Sequence, residues 1–150
     1  MNTLDCQKYQ DNRKDTKESC LAVIRDNNEE PYILIIQEVA SRLWGFPKGH
    51  VKVGEENKAC IHRELCEEVG LQIDKYNHIS KTIYYAPYKM KIHFITIAQP
   101  FNKIKLHIGD ELLDYKWIQY ENLRQLVHDS KHNKIRIQFN SKFRRVFENM

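Results

Sequence analysis

Glycine and proline are scarce, at 5 and 4 of 150 residues, which excludes a collagen-like repeat or a low-complexity linker. Long apolar runs are missing as well. The longest, Tyr32-Ile33-Leu34-Ile35-Ile36, is far short of the roughly 20 residues a membrane-spanning helix needs. The 4 cysteines, Cys6, Cys20, Cys60 and Cys66, form no CxxC pair and no Cys/His spacing suited to zinc. They are expected to be free thiols in a reducing compartment. The stretch from Met1 to Glu18 lacks the apolar segment of a secretory leader, and Asp5, Asp11 and Asp15 speak against an organellar transit peptide. The expected compartment is therefore the cytoplasm, with no membrane partner. No single charge sign dominates: the net charge of +4 is a mild bias toward anionic partners such as nucleotides or RNA. DNA is not expected.

What is present is the composition of a globular protein, with 41% hydrophobic and 29% charged residues, in a length suited to one core. Residues 1–18 are polar and lysine-rich and predict a flexible tail, leaving one domain over residues 19–150. Cys20 to Ile24 and Tyr32 to Val39 read as strands of a hairpin around the polar Asp26 to Glu30 stretch. Trp44 to Gly49 reads as a short strand ending in a loop. Asn57 is a candidate N-cap for a helix to about Val69, and Gly70 is the residue type that ends one in a left-handed conformation. In that helix Ile61, Leu65 and Val69 make an apolar face, while Glu64, Glu67 and Glu68 gather on a neighbouring one. Strands follow at His78 to Tyr85, Lys91 to Ala98 and Leu113 to Ile118, then a helix at Glu121 to His128. Phe139, Phe143, Val146 and Phe147 suggest a last, packed helix.

Three carboxylates on one helical face repel each other unless a cation neutralises them. Hard divalent cations take oxygen ligands, and such a cluster beside a phosphate-shaped cleft suits metal-assisted attack on phosphorus. Read alone, Arg63-Glu64-Leu65-Cys66-Glu67-Glu68 is better read as a solvated, ion-paired helix face. The wider spacing is decisive. Gly49, then Glu55, then Arg63-Glu64-Leu65, then Glu67-Glu68, then Gly70-Leu71 resembles the complete Nudix box, in the strand, loop, helix, loop context that the motif needs.

The resemblance implies an α/β (α+β) Nudix fold, a mixed β-sheet sandwiched between α-helices, and hydrolysis of a diphosphate linkage with Mg2+, or alternatively Mn2+, as cofactor. It implies Glu64, Glu67 and Glu68 as metal-binding glutamates, Gly49 as a backbone contributor to the metal site, and Arg63 and Glu55 as the pair orienting helix and loop. Glu111, six residues before Trp117, resembles a glutamate outside the box that binds metal or acts as general base.

Two subgroups fit the flanking residues. Pro47-Lys48-Gly49-His50 resembles asymmetrical diadenosine tetraphosphate hydrolases, and Trp44-Gly45-Phe46-Pro47-Lys48-Gly49 resembles the Nudix domain of mRNA-decapping enzymes. In both, Lys48 would face extra phosphates; His50 is either a further substrate contact or a surface loop residue. Trp44, Phe46, Tyr84, Tyr85 and Tyr88 are candidates for stacking on a base, although aromatic residues in strands also serve as sheet packing. Val53 stands where many relatives have proline, and Leu21 where they often have glycine. Lys131, Lys134, Arg136, Lys142, Arg144 and Arg145, with no acid between them, offer either an RNA track or a solvated helix face. The resemblance places dinucleoside polyphosphate cleavage first, RNA decapping second, and a silent nucleotide-binding module third.

Overall fold

The computed structural model describes residues 11–128, 146 and 148–150. Its order is β1 (Asp15–Arg25), β2 (Tyr32–Glu38), β3 (Trp44–Gly45), β4 (Lys48–Lys52), α1 (Asn57–Val69), β5 (His78–Tyr85), β6 (Met90–Thr96), β7 (Leu112–Gln119) and α2 (Tyr120–His128). This is the expected α+β class with a mixed sheet. Strands run in the order β3-β2-β1-β6-β5, with β4 added to β1 and β7 to β2. Among the described residues β1 and β6 make the one parallel pair; the other pairs are antiparallel.

β1 is the axis of the molecule. Its run Cys20 to Ile24 is apolar throughout, as a strand covered on both faces requires, and all five side chains are buried. Alternation then divides the core in two. Cys20, Ala22 and Ile24 join Leu34, Ile36, Ile95 and the α1 residues Ile61, Leu65 and Val69 on one face. Leu21 and Val23 join Ile33, Ile35, Ile92, Phe94 and α2 Leu123 on the other. The sequence-derived apolar stripe of α1 is thus the stripe that is buried.

Three expectations are corrected. The fold starts earlier than Ser19, because β1 begins at Asp15: its polar end is held by pairing with β4, through the Lys52–Asp15 ion pair at 2.7 Å and the Val53 N–H to the Lys14 carbonyl at 2.9 Å. Pairing, which hydropathy cannot see, decides that boundary. The hairpin of β1 and β2 meets at Arg25 and Ile33, after which β2 turns to β3 and β7. Asn57 is the first residue of α1, with Glu56 in the capping position and no side-chain cap; the Asn57 amide is engaged elsewhere. At the other end Gly70 adopts φ 70°, and its N–H closes the last turn on Cys66 and Leu65 carbonyls, as its residue type predicts. Cys20 and Cys60 are free thiols, whereas Cys66, expected to be free, is disulfide-bonded; Cys6 lies outside the described residues. Of the expected final helix only Val146 falls within the described residues, buried against the second core; Phe139, Phe143 and Phe147 and the basic Lys131 to Arg145 segment lie outside them. Among the described residues no helix is long and apolar enough to cross a membrane.

Candidate active site

The end of β4, the following loop and α1 form one wall of a cleft of about 950 Å3, within the size of ordinary ligand sites. Arg63 ties that wall together. It is 5% exposed and donates from Nε and Nη2 to the two oxygens of Glu55 at 2.9 and 3.1 Å, from Nη2 to the His50 carbonyl at 3.0 Å, and from Nη1 to Glu64 at 2.9 Å and Glu67 at 3.4 Å. A planar fork with five N–H groups can serve strand, loop and helix at once. Burial works against the ionised Glu55, yet the Arg63 and Lys52 N–H bonds win and hold its carboxyl below the usual range.

The acidic face of α1 looks into the cleft. Burial, reinforced by Glu67 and Glu111 against the pull of Arg63, pushes the Glu64 carboxyl up to about 7. Glu67 is raised by burial and by Glu111. Glu68 is raised well above the ordinary carboxylate range, again chiefly by burial, then by Glu64, Glu111 and Glu38. The Glu111 charge acts on all three helix carboxylates, so the structure brings Glu111 to them. The backbone explains how: the Gly109 N–H bonds the Glu68 carbonyl at 2.9 Å and the Val39 N–H bonds the Glu111 carbonyl at 2.9 Å. A Cβ on Gly109 would sit 2.8 Å from the Glu67 carbonyl oxygen, and one on Gly49 would fall on the Glu64 carboxyl. Close approach, not turn geometry, is the reason for glycine at these two positions.

These residues fit a divalent cation. Glu68 Oε2 is buried without a hydrogen-bond partner, while the backbone N–H of Lys48 serves the carboxylate. An orphan carboxylate oxygen among like charges is costly and is relieved by a positive ion. Among the described residues the acids do not converge into a closed three-ligand cage, because Glu64 and Glu67 lean toward Arg63. Magnesium does not demand one, since it is typically held by one or two carboxylates and keeps several waters.

Cations line the same cleft. Lys48, His50, Lys52 and Lys17 are there, with Asp15, Glu38 and Asp110, and Lys48 Nζ stands 3.9 Å from Glu38. Of the aromatic candidates, only Tyr88 lines the cleft. Tyr85 backs it, with ring centroids 5.5 Å apart. Tyr84 is not among the residues lining the cleft; it lies on the α1 side of the edge strand. Trp44 and Phe46, 5% and 2% exposed, belong to the second core and not to the cleft: Trp44 of β3 and the Phe46 that follows it pack with Leu21, Ile33 and Ile35. Leu21 is in that core too, away from the cleft lining. Val53 is exposed in the loop.

Against this geometry, the family model of the NUDIX domain matches residues 15–139. The chain belongs to the Nudix family. It is 34% identical over 93 residues to an 8-oxo-dGTP diphosphatase of Buchnera aphidicola, covering 62% of this chain and 68% of that protein. An RNA pyrophosphohydrolase of Methylococcus capsulatus is 35% identical over 69 residues, covering 46% of this chain and 36% of that one. The chain thus spans about a third of that relative's length. An mRNA-decapping enzyme subunit 2 of Saccharomyces cerevisiae is 26% identical over 102 residues, covering 65% of this chain and 10% of that one. Among solved structures, a binary complex of an Ap4A hydrolase from C. elegans superposes with a TM-score of 0.61 at 21% identity, covering 76% of this chain and 89% of that one. At that identity it shows the fold alone.

The Nudix box does not mark every contributor. Asp11 and Arg13 reach the box clamp, with Asp11 Oδ2 3.9 Å from Arg63 Nε and Arg13 Nη2 3.6 Å from Glu55 Oε2. Glu38, Lys17 and Gly109 join from distant segments. No local pattern flagged them, because each is a single polar or small residue whose place depends on strand pairing.

Proposed function

We propose that this Nudix protein hydrolyses a diphosphate linkage in a nucleoside polyphosphate, with diadenosine tetraphosphate as the preferred substrate and ATP and AMP as products. One observation carries the reading: buried Glu68 with its orphan oxygen, gathered with Glu64, Glu67 and Glu111 in a cleft also lined by basic side chains. When bound through Glu67, Glu68 and Glu64, with the Gly49 backbone beside them, Mg2+ or Mn2+ supplies an activated water and neutralises charge on phosphate oxygens. Arg63 keeps loop and helix in register and fixes the orientation of Glu64. Glu111 lies close enough to the three to hold or take a proton in the cleft. Lys48, leaving Glu38, would meet a phosphate of the bridge, and Tyr88, braced by Tyr85, offers a face to one adenine. The fold shared with the Ap4A hydrolase supports this, as do relatives named for acting on nucleotides.

RNA 5′ ends are the second reading, favoured by the two relatives whose names refer to RNA. The deciding experiment offers the purified protein diadenosine tetraphosphate, capped RNA and nucleoside diphosphate sugars, each with Mg2+, and identifies products. Asymmetric cleavage of the tetraphosphate should be fastest, and Lys48→Ala should cost more there than with a diphosphate. Faster cleavage of capped RNA, at a rate falling steeply with salt, would replace the first reading by the second.

A further inference from the structure

The open edge of the sheet carries a second surface that the cleft does not use. β5 is the outer strand, and its Thr82 and Tyr84 lie opposite His93 and Lys91 of β6. These four share the α1 side of the sheet, where Lys58 and His62 of α1 approach the same strip. Their proximity is registered at one atom group: buried His93 is depressed to about 4, first by burial and then by Lys91, His62 and Lys58 together.

Tyr84 is 53% exposed, a large ring with no ring partner among the described residues. Lys58, Lys89 and Lys91 are exposed and, among the described residues, have no acidic partner. Two of the cleft lysines differ, since Lys52 is paired with Asp15 and Lys48 stands by Glu38. The strip is also continuous with the cleft. Tyr88 and Met90 line the cleft, Lys89 sits between them with φ 48°, and Lys91 follows one residue on. In a strand that is a step of about 3.3 Å to the opposite face.

A flat aromatic face set among unpaired cations suits a chain that alternates bases with phosphates; an acidic peptide would use the cations and leave the ring idle. We propose that Tyr84, Lys91, Lys89 and Lys58 form a binding strip for single-stranded RNA, leading from the mouth of the cleft across the β5–β6 edge. The strip does not depend on cleft chemistry.

A short oligoribonucleotide with a 5′-hydroxyl end tests it, because such a probe has no polyphosphate to place in the cleft and its binding reports the strip alone. Fluorescence anisotropy of a 3′-labelled probe is expected to show saturable binding at low salt. For single strands log K falls by about 0.7 per neutralised phosphate against log salt, so three lysines predict a slope of about −2. The exposed double variant Lys58→Ala/Lys91→Ala should lower that slope by about 1.4, with its thermal midpoint and its hydrolysis of a small nucleotide unchanged. Tyr84→Ala should weaken binding about 5-fold or more, and Tyr84→Phe should restore it, since stacking requires only the ring. No saturable binding, or binding that the lysine variants leave unchanged, would overturn the proposal. So would polyglutamate competing as well as RNA while Tyr84→Ala has no effect, for the surface would then favour acidic protein. Failure of the strip leaves the cleft reading standing, and loss of hydrolysis leaves the strip measurable.

Discussion

At the scale of single residues, the site gathers acidic groups that oppose one another's ionisation. Glu68 is the clearest case, with burial and neighbouring acids raising its carboxyl well above the ordinary value and one oxygen unpartnered. Glu68→Gln keeps the shape and removes the charge. Turnover with Mg2+ should fall by about 1000-fold or more, as expected for loss of a ligand that acts on the reacting phosphate. In chelator the same variant should melt at a higher temperature than the parent near neutral pH, because a raised carboxyl pKa marks ionisation that the fold resists. Wild-type turnover in both Glu67→Gln and Glu68→Gln would end the metal-ligand assignment. The glycines are also legible at this scale. The box spacing points to Gly49 and Gly70, though the reason for the first, Glu64 filling the space a Cβ would need, emerges only from the fold.

At the scale of elements, α1 is useful only because its position against β4 and the loop between them is fixed. Arg63 supplies that fixation with five directed bonds. A lysine at this position keeps one positive charge but cannot reproduce the fork. Arg63→Lys should therefore cost about 2 kcal/mol or more by urea unfolding and reduce turnover at least 10-fold, because the Glu64 orientation goes with it. A variant with the parent's urea midpoint and rate would show that the clamp is dispensable. The helix stripe was readable because period 3.6 is written in Ile61, Leu65 and Val69. The start of α1 was not: Asn57 looks like a cap, yet its Nδ2 donates to Glu18 at 3.0 Å and to the Ser19 carbonyl at 2.9 Å, and its Oδ1 meets His93 Nε2 at 2.7 Å. Propensity favours a local bond for asparagine; three long-range partners outbid it.

At the scale of the whole molecule, this His93 contact joins β5, β6, β1 and α1 and makes the fold sensitive to acid. Because Asn57 Nδ2 is already donating, Oδ1 must accept, so the proton of neutral His93 is on Nε2 and Nδ1 accepts from Thr82 Oγ1 at 2.9 Å. His93 is 2% exposed, and burial lowers its pKa from 6.5 to about 4. The unfolded chain thus binds a proton that the folded one refuses between these values. Stability from this group is complete above about 6.5, falls as pH drops toward about 4, and is lost below it. The full effect is about 3 kcal/mol. His93→Gln can still donate to Asn57 but cannot titrate, so unfolding measured at neutral and at mildly acid pH should show the parent losing about 2 kcal/mol more than the variant. Parallel losses in the two proteins would remove His93 as the cause.

The sequence by itself determined the family, the two-faced helix, its glycine stop and the acidic set on it, because these depend on spacing within a single segment and each element's period is local. The tertiary structure alone decided which aromatic residues face the cleft, how early β1 begins, how Glu38 and Lys17 come to line the cleft, and how Asp11 and Arg13 reach the Arg63–Glu55 clamp. Tyr84, Tyr85 and Tyr88 are indistinguishable as letters. Alternation in β5 and the turn after it send one to the edge, one to the packing and one to the cleft. Trp44 and Phe46 show the same limit: an aromatic ring serves a nucleotide or a core equally well, and only the contacts made by residues far along the chain determine which surface it loses to.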